Sequence, residues 1–162
     1  MPDEPDADGL TEISLTVNGE SVTARVPADQ RLVDFLRDEL GLSGTKIGCE
    51  VGFCGVCSVL LDGTPAGSCH TLTVLADGRD VVTAEGLAAR ERAGELRRAF
   101  IEEGAFQCGF CTSGQLVMAS ALVDTPDAGE LTAGERASRM ALTLCRCTGY
   151  YGIQRAIDRV LT

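Results

Sequence analysis

Gly44-Thr45-Lys46-Ile47-Gly48-Cys49-Glu50-Val51-Gly52-Phe53-Cys54-Gly55-Val56-Cys57 is the stretch on which the reading of the fold turns. Four residues separate Cys49 from Cys54, two separate Cys54 from Cys57, and Cys69 follows after eleven more. Gly44, Gly48, Gly52 and Gly55 interleave with these thiols, so the backbone can take φ > 0 and come close to a bound group without Cβ clashes. Four gathered thiolates are a metal-ligand set. An anionic centre held there needs hydrogen-bond donors for its sulfurs, and backbone N–H groups supply them only where the chain wraps closely.

The C-x4-C-x2-C…C spacing is the known ligand pattern of plant-type [2Fe–2S] proteins, and the match is one of spacing. Working outward, the chain carries a second set of four. Cys108 and Cys111 form a C-x-x-C pair in QCGFC, and Cys145 and Cys147 form a C-x-C pair in LCRCTG, 33 residues further on. Each pair stands just before a helical pattern. Leu116, Met118, Ala119 and Leu122 follow the first, and Ile153, Ala156, Ile157, Val160 and Leu161 follow the second. Two helix N-termini then face one site, and their unpaired N–H groups favour an anionic centre. Two zinc sites of four thiolates each would also use eight cysteines, but zinc knuckles repeat C-x2–4-C, and the one-residue spacing and the long gap suit zinc poorly.

The chain has 162 residues, 24 acidic and 14 basic side chains and a formal net charge of −10. Phosphate backbones are bound by clustered Lys and Arg, so this acidity argues against a nucleic-acid partner. There is no Trp and only 4% aromatic residues, which removes a base-stacking platform. The longest apolar run, Leu116 to Val123, falls far short of the roughly 20 residues of a membrane span and is broken by Ser120. The start, MPDEPDADGL, lacks the basic and apolar regions of a signal peptide, so a cytoplasmic protein with a flexible acidic tail over residues 1–10 is expected. Eight thiols in a reducing cytosol do not persist as structural disulfides, which again favours metal binding.

Residues 12–17 and 21–26 alternate polar and apolar around Asn18-Gly19, a hairpin signal. Leu32, Val33, Phe35, Leu36 and Leu40 predict a short helix, with Asp29 as N-cap and Gly41 as stop. Strands are predicted at 58–61, closed by Asp62-Gly63, and at 80–83. From about Leu87 the period becomes helical, with helices predicted at 94–103, 112–123, 134–144 and 150–161. The expected class is α+β. A β-grasp, plant-type ferredoxin-like domain spans 11–86, and a C-terminal four-helix bundle spans 87–162.

GTKIGCEVGFCGVCSVLLDG (44–63), SCHTL (68–72), AFIEEGAFQCGFCTSG (99–114) and LCRCTGY (144–150) together resemble the iron–sulfur small subunit of the molybdenum hydroxylase family, the xanthine oxidase, aldehyde oxidase and carbon monoxide dehydrogenase group. The resemblance covers nearly the whole chain after the tail. It implies two [2Fe–2S] clusters, one on Cys49, Cys54, Cys57 and Cys69 and one on Cys108, Cys111, Cys145 and Cys147. It implies a large molybdopterin subunit and a medium FAD subunit as partners, assembled as a dimer of heterotrimers. It implies an oxidoreductase subunit with no substrate-oxidising site of its own. Single electrons are relayed from the molybdenum centre through the clusters towards FAD or another acceptor. By the same resemblance Gln107 and Cys147 approach the pterin of the partner. Two departures stand out. Ser113 replaces a frequent Pro, and Leu142-Thr143 replace a frequent Gly-Asn, which removes an amide that could bond near the second cluster.

Other residues near the cysteines have plainer readings. His70 follows Cys69 but a fourth ligand is already present, so a structural or exposed role is expected. Lys46 and Arg146 flank ligands and lower the cost of an anionic cluster or are simply solvated. Phe53 and Phe110 are expected to shield the clusters from water. Two further classes of function stay open on the sequence: a free-standing double-cluster ferredoxin carrier, and a zinc-binding structural module.

Overall fold

A computed structural model describes residues 8–90 and 92–162. The expected acidic tail falls mostly on residues 1–7, outside the described residues. Leu10, its last residue, already belongs to the first strand and pairs with Pro27.

Strand β1 (Leu10–Val17) buries Thr11, Ile13, Leu15 and Val17 on one face, as its alternation requires. It turns at Asn18 (φ 53°) and Gly19 (φ 87°) into antiparallel β2 (Glu20–Pro27). After the cysteine loop come β3 (Ser58–Leu61), β4 (Thr64–Gly67) and β5 (Asp80–Val82). The sheet order is β2-β1-β5-β3-β4, with β5 parallel to β1 and antiparallel to β3. The sequence reading missed β4. Its residues, Thr-Pro-Ala-Gly, carry almost no strand propensity, and Pro65 is tolerated because β4 is an edge strand.

Helix α1 opens as one α-turn (Leu32–Asp34) and widens to i→i−5 bonding over Phe35–Glu39. Its Leu32, Phe35 and Leu36 sit in the sheet core with Ile13, Leu15, Val26, Val59 and Val81. Asp29 does not cap it. Arg31 takes the cap position, and the N–H groups of Leu32 and Val33 donate to the carbonyls of Thr71 and Ser68. A tertiary partner thus replaces the local cap, and the helix start is tied to the segment that carries Cys69. Gly41 does end the helix, at φ 70°.

Four helices follow: α2 (Ala93–Glu102), α3 (Thr112–Val123), α4 (Ala133–Met140) and α5 (Tyr150–Leu161). Leu96, Phe100, Met118, Leu122, Met140, Ile153 and Ile157 form their common core. Helix α4 stops four residues short of the predicted end. Beyond it, Leu144 N–H donates to Cys54 O and Thr143 O accepts from Gln115 Nε2, so the helical ladder yields to tertiary bonds. A third, small core of Leu60, Leu87, Ala93 and Val117 joins sheet to helices. No helix among the described residues is long and apolar enough to cross a membrane.

Candidate metal centres

The loop after α1 carries Cys49 and Cys54. Cys57 stands at the foot of β3, and Cys69 lies just past β4. Buried Cys57 and Cys69 sit together against Val33 and Ile47. The Cys57 thiol neighbours that of Cys69, and the Cys54 thiol neighbours that of Cys49. Cys49 Sγ accepts the N–H groups of Phe53 and Cys54, both at 3.3 Å. Amide donors, that of Val51 first, hold the Cys49 thiol down at about 6. Burial first, then the Cys57 thiol, push Cys69 up to about 11.

The second quartet is built from two loops. Cys108 lies on the turn between α2 and α3, and Cys111 takes the N-cap position of α3. Cys145 and Cys147 precede α5, whose N-cap is Gly149. Here the Cys145 thiol neighbours that of Cys111, and the Cys147 thiol neighbours that of Cys108. Burial and the neighbouring Cys145 raise Cys111 to about 12, while the Phe110 amide lowers Cys108. The Gly149 N–H donates to Cys145 Sγ at 3.3 Å from the start of α5. Cys145 is buried and Cys108 exposed, so this quartet opens to the surface on one side.

One backbone device recurs. Glu50, Gly55, Gly109 and Thr148 each follow a cysteine and each is left-handed, with φ of 57°, 65°, 81° and 60°. A left-handed residue turns successive N–H groups towards one side, which makes an anion-binding concavity. Glu50 and Thr148 hold it without being glycine, a strain that concentrates at functional sites. Gly44 and Gly48 do not take positive φ, contrary to the expectation for them. They are small for space: a Cβ on Gly48 would lie 2.9 Å from Cys54 Sγ, and one on Gly44 2.6 Å from Glu85 Oε1.

Thiolates, amide donors and tight glycines fit an anionic sulfur-rich cluster. Among the described residues no three His, Cys, Asp or Glu side chains converge closely enough to hold a single ion. Neighbouring thiols within each quartet suit the two irons of a [2Fe–2S] cluster, with two thiolates apiece.

The quartets meet at a backbone seam. Cys54 O accepts the Leu144 N–H at 2.8 Å, and Leu144 is bonded directly to Cys145. A Cβ on Gly55 would run into the Leu142 carbonyl, and one on Gly114 would lie 2.9 Å from Gly55 O. Gln115, buried on α3, donates to Thr143 O at 2.7 Å and so braces the C-x-C segment from behind.

Gln107 is exposed beside Cys108, and Cys147 is half-buried. His70 is exposed, its ring lying over Gly52. Lys46 donates to Ser43 O, and Arg146 is exposed. Phe53 and Phe110, expected to shield the clusters, are 76% and 49% exposed in this chain, whereas Cys57, Cys69 and Cys145 are buried. Leu142 is likewise 66% exposed, and the buried hydroxyls of Ser113 and Thr143 have no hydrogen-bond partner among the described residues. Sequence reasoning missed Gln115, Tyr150 and Glu85. Tyr150 Oη accepts the Cys145 N–H at 2.8 Å, and only its place three residues after Cys147 hinted at it.

Comparison with known proteins agrees with this geometry. Residues 15–88 match the 2Fe-2S iron-sulfur cluster binding domain, and residues 83–158 match the [2Fe-2S] binding domain. The chain is 45% identical to the caffeine dehydrogenase subunit gamma of Pseudomonas sp. (strain CBB1), covering 91% of this chain and 89% of that one. It is 37% identical to the aldehyde oxidoreductase iron-sulfur-binding subunit of Escherichia coli (strain K12), covering 98% and 75%. The solved quinoline 2-oxidoreductase of Pseudomonas putida 86 superposes with a TM-score of 0.84 at 44% identity, over 94% of each chain. The chain belongs to the iron–sulfur small subunits of the molybdenum hydroxylase family, and its role is electron transfer within a multi-subunit oxidoreductase through two [2Fe–2S] clusters.

Proposed function

We propose that Cys49, Cys54, Cys57 and Cys69 hold one [2Fe–2S] cluster and Cys108, Cys111, Cys145 and Cys147 the other. When bound, these groups carry single electrons between the molybdenum centre of a large molybdopterin subunit and the FAD of a medium subunit or another acceptor. The chain's own residues position, insulate and tune. Amide donors at Cys49 and Cys145 stabilise negative charge on sulfur, and Gly55, Gly114 and Gln115 hold the two quartets in register. Gln107 and Cys147 meet the partner's pterin on this reading. The ferredoxin-like half ends near residue 86 in a β-grasp sheet, and the helices of the second half act as a four-helix bundle. The assembly is a dimer of heterotrimers in the cytoplasm.

The observation that carries this reading is the Cys54 O···H–N Leu144 bond, which leaves one hydrogen bond and one residue between ligands of different quartets. Exposed Phe106, Phe110, Leu142 and Tyr151 around the second quartet favour a subunit over a free carrier, since such apolar patches mark protein contacts. Metal and sulfide analysis with electron paramagnetic resonance of the reduced complex tests it. Two distinct spin signals, with iron, sulfide and molybdenum co-purifying, are expected. Zinc in place of iron, or a single signal, overturns the ligand assignment, and a chain that stays a fully active monomer overturns the subunit role.

A further inference from the structure

The linker leaving β5 carries a polar knot that neither cysteine quartet uses. Glu85 Oε1 accepts the Gly44 N–H at 2.7 Å, and Glu85 Oε2 accepts the Thr83 hydroxyl at 2.6 Å. Thr83 Oγ1 in turn accepts from Asn18 Nδ2 at 3.0 Å, and Thr83 N–H donates to Asn18 Oδ1 at 2.8 Å. Gly86 lies so close to Asn18 that any Cβ there would overlap the amide. Three segments are tied at one point: the β1–β2 turn, the start of the first cysteine loop at Gly44, and the chain that leads to Leu87 in the small core between sheet and helices.

Gly44 has an ordinary φ, so its backbone does not require glycine. What requires it is the carboxylate: an added Cβ would meet Glu85 Oε1, Cδ and Oε2 at 2.6–2.8 Å. Burial pushes the Glu85 carboxyl up, but the Thr83 hydroxyl, the amides of Glu85 and Gly44 and the charge of Lys46 outweigh it, so the group stays ionised at neutral pH. Gly44, to which Glu85 is bonded, stands five residues before Cys49, and a negative charge held on that loop opposes the arrival of an electron on a centre the loop carries.

We propose that Glu85 is a positioning residue for electron transfer: wedged against the Gly44 amide, its carboxylate locks the first cysteine loop to the linker of the helical half and holds the potential of the cluster in that loop down. The proposal rests on the ligand assignment given above.

Redox titration of the purified holo-complex, followed by electron paramagnetic resonance, tests it, the first cluster's signal being the one altered by Cys49→Ala. In Glu85→Gln the amide oxygen still accepts the Gly44 N–H, and the new NH2 donates to Thr83 Oγ1, so the shape survives and only the charge is lost. The midpoint of the first cluster is expected to rise while that of the second, and the iron content, stay unchanged. Equal midpoints in wild type and Glu85→Gln overturn the proposal. Gly44→Ala tests the wedge without removing the charge. It is expected to alter the line shape of the first signal, and Gly44→Ala/Glu85→Ala is expected to differ no further from Glu85→Ala alone. Additive changes overturn the wedge. Absence of two signals in the wild-type complex would refute the ligand assignment itself, an outcome separate from any behaviour of the Glu85 variants.

Discussion

Gly55 concentrates two constraints in one residue. Its φ of 65° is left-handed, and its missing Cβ leaves room for the Leu142 carbonyl. Gly52 shares the left-handed φ, at 69°, but its added Cβ would meet only the exposed His70 ring, which can swing away. Gly55→Ala is therefore expected to be the more damaging. The left-handed conformation alone costs a non-glycine residue about 1–2 kcal/mol, and the clash with backbone adds to that. Thermal unfolding of the complex should show a clearly larger loss of midpoint for Gly55→Ala than for Gly52→Ala. Equal losses would mean that the seam between the quartets does not depend on close backbone approach.

At the scale of elements, the helices differ in what holds their ends. Helix α4 has a capping box: Glu135 N–H donates to Thr132 Oγ1 at 3.3 Å, and Thr132 N–H donates to Glu135 Oε2 at 2.8 Å. Helices α3 and α5 have no side-chain cap, and their first turns stand beside thiols. This contrast is physical. A capped end is self-sufficient, whereas an uncapped end keeps N–H groups for an anionic neighbour. Thr132→Ala should cost about 1 kcal/mol, seen as faster hydrogen exchange over 133–140 with both clusters intact. Loss of either cluster in Thr132→Ala would mean that α4 does more than support α3 and α5.

Across the whole molecule, ion pairs fasten helix to helix. Glu103, at the end of α2, accepts from Arg155 Nε at 2.9 Å and pairs with Arg159 at 3.3 Å, both on α5. The Arg155 guanidinium first, then Arg159, hold the Glu103 carboxyl below its ordinary value of 4.5. A carboxyl with a depressed folded pKa contributes stability above its unfolded pKa and loses it as pH falls through the folded one. Glu103→Gln should thus be less stable than wild type at pH 7, and the difference should shrink once pH drops below about 4.3. Parallel urea titrations at the two pH values measure this. A difference that persists unchanged in acid would assign the effect to packing instead of charge.

The sequence by itself determined the chemistry and the local periods. Cysteine spacing is a covalent property, so the presence of two [2Fe–2S] binding domains was legible before any fold. The β1–β2 hairpin and helices α2, α3 and α5 were legible too, because alternation and 3.6-residue spacing are short-range signals. The tertiary structure decided what depends on distant partners. Helix α1 takes its first acceptors from Ser68 and Thr71 instead of a cap at Asp29. Helix α4 ends at Met140 because Thr143 and Leu144 bond to Gln115 and Cys54. Gly44 is small because Glu85, 41 residues away, occupies its Cβ position. In each case a backbone group chose between a neighbour along the chain and one brought to it by folding, and that competition leaves no mark on the local pattern of residues.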